Sequence, residues 1–185
     1  MITIIQLGSA KTPAIHEMVT ALGAQSRIID RTDFTNEIVQ QSQAIILSGS
    51  PIFFTEVDFQ PYRKQFGILN DVRIPILGIC FGHQLLGLLN GATIFRGEAI
   101  RTATTIHKIK EDALLKNLDD TFTMQEDHTE GISLPPGFIH LASSDTYTIE
   151  AMRHPVKSIW GVQFHPEVSG DNGKILIGNF IRQSQ

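Results

Sequence analysis

The chain of 185 residues holds one cysteine, Cys80, so it can form no internal disulfide. That suits a reducing, cytoplasmic compartment and leaves the thiol free for chemistry. Nothing approaches the ~20 consecutive apolar residues of a membrane-spanning helix. The opening run Met1-Ile-Thr-Ile-Ile-Gln-Leu7 has no basic flank and is too short for a secretory signal. Basic clusters are also missing. A formal net charge of −4 and a pI near 5.9 argue against a nucleic-acid surface, which needs grouped Lys and Arg. No glycine-rich loop ends in Gly-Lys-Ser/Thr, and no Cys, His and Asp stand at metal-ligand spacing, so no nucleotide or metal site is expected. With no linker, repeat or low-complexity segment, residues 1–185 read as a single domain.

What is present is alternation. Ile2–Leu7 reads as a short apolar strand, and Ile15, Met18, Val19 and Leu22 then fall at helical spacing. Thr12-Pro13 marks a helix start and Gly23 a stop. Arg27–Asp30 and Ala44–Ser48 read as further strands. Phe59, Tyr62, Phe66 and Leu69 mark another helix face, and Ile74–Ile79 a fourth strand. Strands alternating with helices predict an α/β fold, a mostly parallel central sheet with helices on both faces. From Ala92 to Trp160 the runs are shorter and richer in Thr, which predicts antiparallel strands added at an edge. The tail from Gly173 to Arg182 reads as an amphipathic helix.

Cys80 lies in Ile76-Leu-Gly-Ile-Cys-Phe-Gly-His-Gln84, after an apolar strand and before a leucine-rich helical pattern. A glycine stands two residues to either side of it. This is the pattern of a nucleophile elbow, a strand-to-helix turn so tight that side chains at those two positions would clash. Such a turn holds the thiol at a helix N-terminus, where unpaired amides and the dipole favour thiolate. The base has a candidate in Ile159-Trp-Gly-Val-Gln-Phe-His-Pro-Glu-Val168. Pro166 biases His165 toward an extended conformation, from which His165 and Glu167 are expected to project to one side. A carboxylate at Glu167 then orients the imidazole for a thiol nucleophile. Only the tertiary fold can bring this pair to Cys80. The Phe81 amide is the first candidate for an oxyanion donor, and the turn Ser48-Gly49-Ser50-Pro51 after the third strand is the place for a second.

The segments GICFGHQ around Cys80 and GVQFHPEV from Gly161 to Val168 resemble the two signature motifs of class I, triad-type glutamine amidotransferases. Leu134-Pro-Pro-Gly-Phe138, Ile149-Glu-Ala-Met152 and Gly173–Phe180 are similar to that family too, so the likeness covers nearly the whole chain. Val168 and the phrase Ile109-Lys-Glu-Asp-Ala-Leu114 are most similar to the branch of free-standing glutaminase subunits of GMP synthases. Anthranilate and aminodeoxychorismate synthase glutaminases, or a self-sufficient γ-glutamyl hydrolase, are the alternatives.

The resemblance implies a flavodoxin-like fold and a Cys80–His165–Glu167 triad that hydrolyses glutamine through a γ-glutamyl thioester. It implies an oxyanion hole at Phe81 and Ser50, beside Gly49, and contact of Gln84 with the substrate's α-amino or carboxylate group. His83 is expected to pack behind the site. Ammonia would pass to an ATP-dependent synthase partner carrying ATP and Mg²⁺, with no cofactor in this chain. Two departures stand out. Ser50 replaces the usual glycine, and in Met124–Gly131 Asp127 occupies the slot where a histidine is usual, with His128 offset by one. An acidic, solvated loop and a functional segment are both open readings of that stretch.

Overall fold

The structure, a computed structural model, describes residues 1–184. Four strands form the buried centre: β1 (Ile2–Gln6), β3 (Ala44–Leu47), β4 (Ile76–Ile79) and β11 (Ile159–Val162). All four are parallel, and β2 (Ser26–Asp30) adds a fifth parallel strand at one edge. Their near-continuous apolar sequences follow from burial on both faces. Alternate residues go to opposite cores: Ile2, Ile4, Ala44, Ile46, Leu77 and Ile79 to one, Ile5, Ile45, Leu47 and Ile76 to the other. Helices α1 (Thr12–Ala21) and α5 (Gly170–Gln183) cover the first face through Ile15, Val19, Leu176 and Phe180. Helices α3 (Gln60–Phe66) and α4 (Phe81–Leu89) cover the second through Tyr62, Phe66, Phe81 and Leu85.

Beyond β11 the sheet turns antiparallel, through β10 (Ala151–Arg153), β9 (Ile139–Ser143), β6 (Ala103–Lys108) and β7 (Thr121–Gln125). This is the expected mixed architecture, with three differences. First, β5 (Ile94–Ile100) and β8 (His128–Ile132) do not extend the edge; they pair with each other in a separate ribbon. Second, the helix expected from Phe59 to Leu69 ends at Phe66 and continues as a 3₁₀ turn, Gly67–Asn70. Third, a one-turn helix, α2 (Asn36–Gln40), stands where no apolar period announced it. It is capped by the Thr35 hydroxyl, which accepts from the Ile38 amide at 3.4 Å.

The junction of β4 and α4 has the expected elbow geometry. Cys80 sits at φ 51° and ψ −105°, a strained region for a non-glycine residue. A Cβ at Gly78 would lie 2.4 Å from the Gly82 carbonyl oxygen, and one at Gly82 would lie 2.5 Å from the Leu47 carbonyl oxygen. Both glycines are therefore demanded by backbone contact rather than by their own dihedrals. Gly82→Ala should lower the thermal midpoint by more than about 5 °C, the size of a ~2 kcal/mol defect in a chain this long. Gly67→Ala, where the Cβ meets nothing within 4 Å, should be neutral or slightly stabilising. Thermal melts of the two variants check the contrast.

Candidate active site

Parallel pairing sets β11 beside β4 with Gly161 opposite Gly78 and Val162 opposite Ile79. The Cys80 amide continues that ladder, donating to the Val162 carbonyl at 2.8 Å. Chains leaving the C-terminal ends of these two strands therefore start side by side, and this brings His165 to the thiol. His165 is extended, at φ −105° and ψ 86°, as the following proline requires. Its own amide donates to the Gln125 carbonyl at 2.8 Å, which ties the β11 exit to β7.

His165 Nδ1 lies 2.7 Å from Glu167 Oε1, so Nε2 is the nitrogen left for the thiol. The partnership is the expected one, but its route differs. Glu167 belongs to a 3₁₀ turn, Pro166–Val168, and not to an extended strand. The turn is pinned from outside, since Ser169 Oγ donates to the His165 carbonyl at 2.6 Å and accepts from the Gln125 amide at 2.9 Å. Burial lowers the His165 pKa, but hydrogen bonds with Cys80 and Glu167, and their charges, outweigh it and raise the value to about 10. Such a histidine readily carries the proton taken from a thiol.

Gly49 closes the space above the pair. A Cβ there would lie 3.2 Å from His165 Cε1 and 3.6 Å from Cys80 Cβ, so the glycine allows the β3 turn to reach the reacting atoms. Ser50 and Phe81 line the same cleft of about 390 Å³ together with Gln84. The Ser50 hydroxyl accepts from the Ile52 amide at 3.2 Å, which steadies the turn around Pro51. Gln84 is 3% exposed, and its amide nitrogen donates to the Glu130 carbonyl at 3.0 Å and to Gln163 Oε1 at 3.1 Å. Both its protons are spent, so toward the cleft it presents an acceptor. His83 lies behind the site; a Cβ at Gly161 would come within 2.5 Å of its Nδ1. Burial lowers its pKa to about 3 and keeps it neutral.

The segment Met124–Gly131 is not a solvated loop. It comprises the end of β7, a two-residue link and the start of β8, and Glu126, His128 and Glu130 are all buried. Glu130 accepts from the Phe54 and Thr55 amides at 2.8 and 2.9 Å, tying β8 to the segment after the Ser50 turn. Glu126 Oε2 meets His128 Nε2 at 2.7 Å, and Ser144 donates to Glu150 at 2.7 Å. Nothing in the sequence pointed to Glu126 and Glu150, because isolated acidic residues carry no signal of burial. Donor atoms of Glu126, His128 and Glu150 all lie within 4.8 Å of one another. The fold thus assembles three side chains able to ligate a divalent cation, a convergence that spacing did not disclose. In the protein as it stands they satisfy one another. Burial raises Glu126 to about 7, and burial together with the Glu126 charge raises Glu150 to about 8. The pair is best satisfied sharing a proton.

The fold and this cysteine–histidine–glutamate constellation at the β4 elbow define the class. The glutamine amidotransferase class-I family pattern matches residues 3–183, and the chain belongs to that family. It is 36% identical over 187 residues to the glutamine-hydrolyzing GMP synthase subunit of Methanocaldococcus jannaschii, covering 98% of this chain and 96% of that one. The corresponding subunit of Methanosarcina barkeri is 39% identical over 171 residues, covering 90% of this chain and 87% of its own. Among solved structures, a protein from Thermoplasma acidophilum provisionally assigned to the same GMP synthase component superposes with a TM-score of 0.90 at 26% identity, over 99% of this chain and 92% of that chain. A Thermotoga maritima glutamine amidotransferase, at 20% identity and a TM-score of 0.79 over 95% of this chain and 80% of its own, shares the fold. No helix among the described residues is long and apolar enough to cross a membrane.

The carboxyl pair yields a pH test. Both groups have folded pKa values above the model value of 4.5. The folded protein therefore holds a proton that the unfolded chain has released, and the associated stability falls as pH rises from about 4.5 to about 8. Glu150→Gln removes that dependence. The thermal midpoint of the variant should exceed wild type by about 3 °C or more at pH 8.5, and the difference should shrink or reverse at pH 5. Melts across that range measure it.

Proposed function

We propose that this chain is the glutaminase component of a GMP synthase, releasing ammonia from glutamine for the ATP-dependent amination of XMP on a separate synthase subunit. The observation that carries the chemistry is the meeting of Cys80, His165 and Glu167 at the adjacent ends of β4 and β11. The acceptor is inferred from likeness to the archaeal glutamine-hydrolyzing subunits along almost their whole length.

The thiolate of Cys80 attacks the side-chain amide carbon of glutamine, and the proton it gave up resides on His165. Amides at Phe81 and in the Gly49–Ser50 turn face the developing oxyanion; fixed donors of this kind cost no reorganisation as charge develops. His165 returns the proton to the departing ammonia, then takes one from water as that water attacks the γ-glutamyl thioester. Thiol and glutamate are released, and Glu167 holds the ring throughout. Gln84 offers its amide oxygen to the α-ammonium group of the substrate, which resolves the two roles open to it. The buried Glu126–His128–Glu150 cluster supports the wall of the site and takes no part in the bond changes. ATP and Mg²⁺ belong to the synthase partner. The reducing interior of the cell keeps Cys80 free.

Cys80→Ala should cut Cys80-dependent glutamate release by ~10³-fold or more while the circular dichroism spectrum is unchanged. An acid quench of wild type should show a γ-glutamyl adduct on the peptide bearing Cys80. Glu167→Gln should remain defective but exceed His165→Ala in rate, because the carboxylate orients the ring and the ring moves the proton. Addition of a GMP synthase ATP-domain subunit with ATP, Mg²⁺ and XMP should raise glutamine turnover severalfold. Full activity alone with no response would favour a self-sufficient hydrolase, and a response only to a chorismate-using synthase would change the acceptor.

A further inference from the structure

The cleft that opens on Cys80 has an ion pair across its mouth. Lys11, at the entry to α1, donates from Nζ to Asp127 Oδ2 at 2.6 Å, joining parts of the chain 116 residues apart. Arg101 approaches the other oxygen, Oδ1, at 4.0 Å. All three residues line the cleft. The main-chain carbonyl of the same Asp127 lies 3.9 Å from Cys80 Sγ, close enough to accept from the thiol. One residue thus covers the nucleophile with its carbonyl oxygen and fills a cationic notch with its carboxylate.

The substrate has matching dimensions. With its amide carbon at the thiol, glutamine carries its α-carboxylate four carbon–carbon bonds away, about 5 Å. Asp127 sets its carboxylate three such bonds from its own carbonyl carbon. On the basis that the chain is a glutaminase, we propose that Lys11 and Arg101 form the α-carboxylate subsite for glutamine, and that the Asp127 carboxylate occupies it as an internal stand-in until the substrate displaces it. Displacement frees Asp127 to move, which withdraws its carbonyl from Sγ. Recognition of the free amino acid and exposure of the thiol become one event. The negative end of a carbonyl dipole beside sulfur opposes thiolate formation, so the covered state is also the less reactive one. An exposed ion pair is worth little in stability and exchanges readily. A charge-assisted bond to a substrate in a cleft is stronger. Glu130, the other acid lining the cleft, is committed to the Phe54 and Thr55 amides and does not compete.

The test is equilibrium binding by calorimetry to the full chain in a Cys80→Ala background, which prevents turnover. The probes are glutamine and its α-carboxamide, glutaminamide, which keeps the side-chain amide and loses the carboxylate. Lys11→Met should weaken glutamine by about 10-fold or more and leave glutaminamide within about twofold. Asp127→Asn should tighten glutamine, because the internal competitor is gone. A merely structural role for the pair predicts that both substitutions weaken both probes. Equal losses for the two probes in Lys11→Met, weaker glutamine binding in Asp127→Asn, or no glutamine binding in the parent would each overturn the subsite. Glutamate release by the chain with Cys80 intact, measured beside the synthase partner, separates the two inferences. The predicted binding pattern without turnover would remove the glutaminase reading and keep the subsite; turnover with the opposite pattern would do the reverse.

Discussion

Everything at this site depends on one backbone pairing, the parallel register of β11 against β4. Val162 opposite Ile79, and the Cys80 amide bonded to the Val162 carbonyl, fix where two distant segments leave the sheet. One leaves through an elbow that turns at once into α4. The other leaves through an extended histidine and a proline-led turn. A slip of one residue would turn every side chain of β11 to the opposite face and carry His165 away from the thiol. Burial on both faces resists such a slip, because each strand would have to exchange its two sets of core contacts.

Around that pairing the chain places rigid supports where an enzyme needs its reacting groups held. Ser169 holds the turn that carries Glu167, and Glu130 ties β8 to the segment after Ser50. The Glu126–His128–Glu150 cluster fills the space behind β7 and β8. Two carboxyls brought this close in a buried setting disfavour double ionisation, so the cluster keeps one proton and links the wall's stability to pH. The mouth is built differently. Lys11, Arg101 and Asp127 are partly exposed, and their contacts break at little cost. The gradient from a firm wall to an exchangeable mouth suits a site that must admit a small zwitterion and then hold it still.

The local features are legible in the sequence because their causes are local. Glycines at 78 and 82 announce the elbow, since no other side chain fits the contacts with the Gly82 and Leu47 carbonyls. Pro166 announces the extended histidine. The apolar runs of β1, β3 and β4 announce a sheet covered on both faces. Glu167 is the expected partner for an incomplete reason: it reaches Nδ1 from a 3₁₀ turn, and period-two reasoning happens to choose the same neighbour. The split of the third helix at Gly67 and the one-turn helix after Thr35 are not legible, because segments that short take their form from packing and caps rather than from a period.

By itself the sequence determined the alternating α/β order, the strained cysteine, the histidine–carboxylate partnership and the likeness to class-I amidotransferases. Each rests on neighbours within a few residues, where sterics and periodicity act directly. Tertiary structure alone decided that β5 and β8 leave the main sheet, that Glu126 and Glu150 are buried together, and that Gln84 spends its amide protons on the wall. It alone set Asp127 between Lys11 and Arg101 with its carbonyl over the thiol. Those outcomes depend on which distant residues share a low-dielectric space or a cleft mouth, and burial and charge pairing across such distances exist only once the sheet has closed them together.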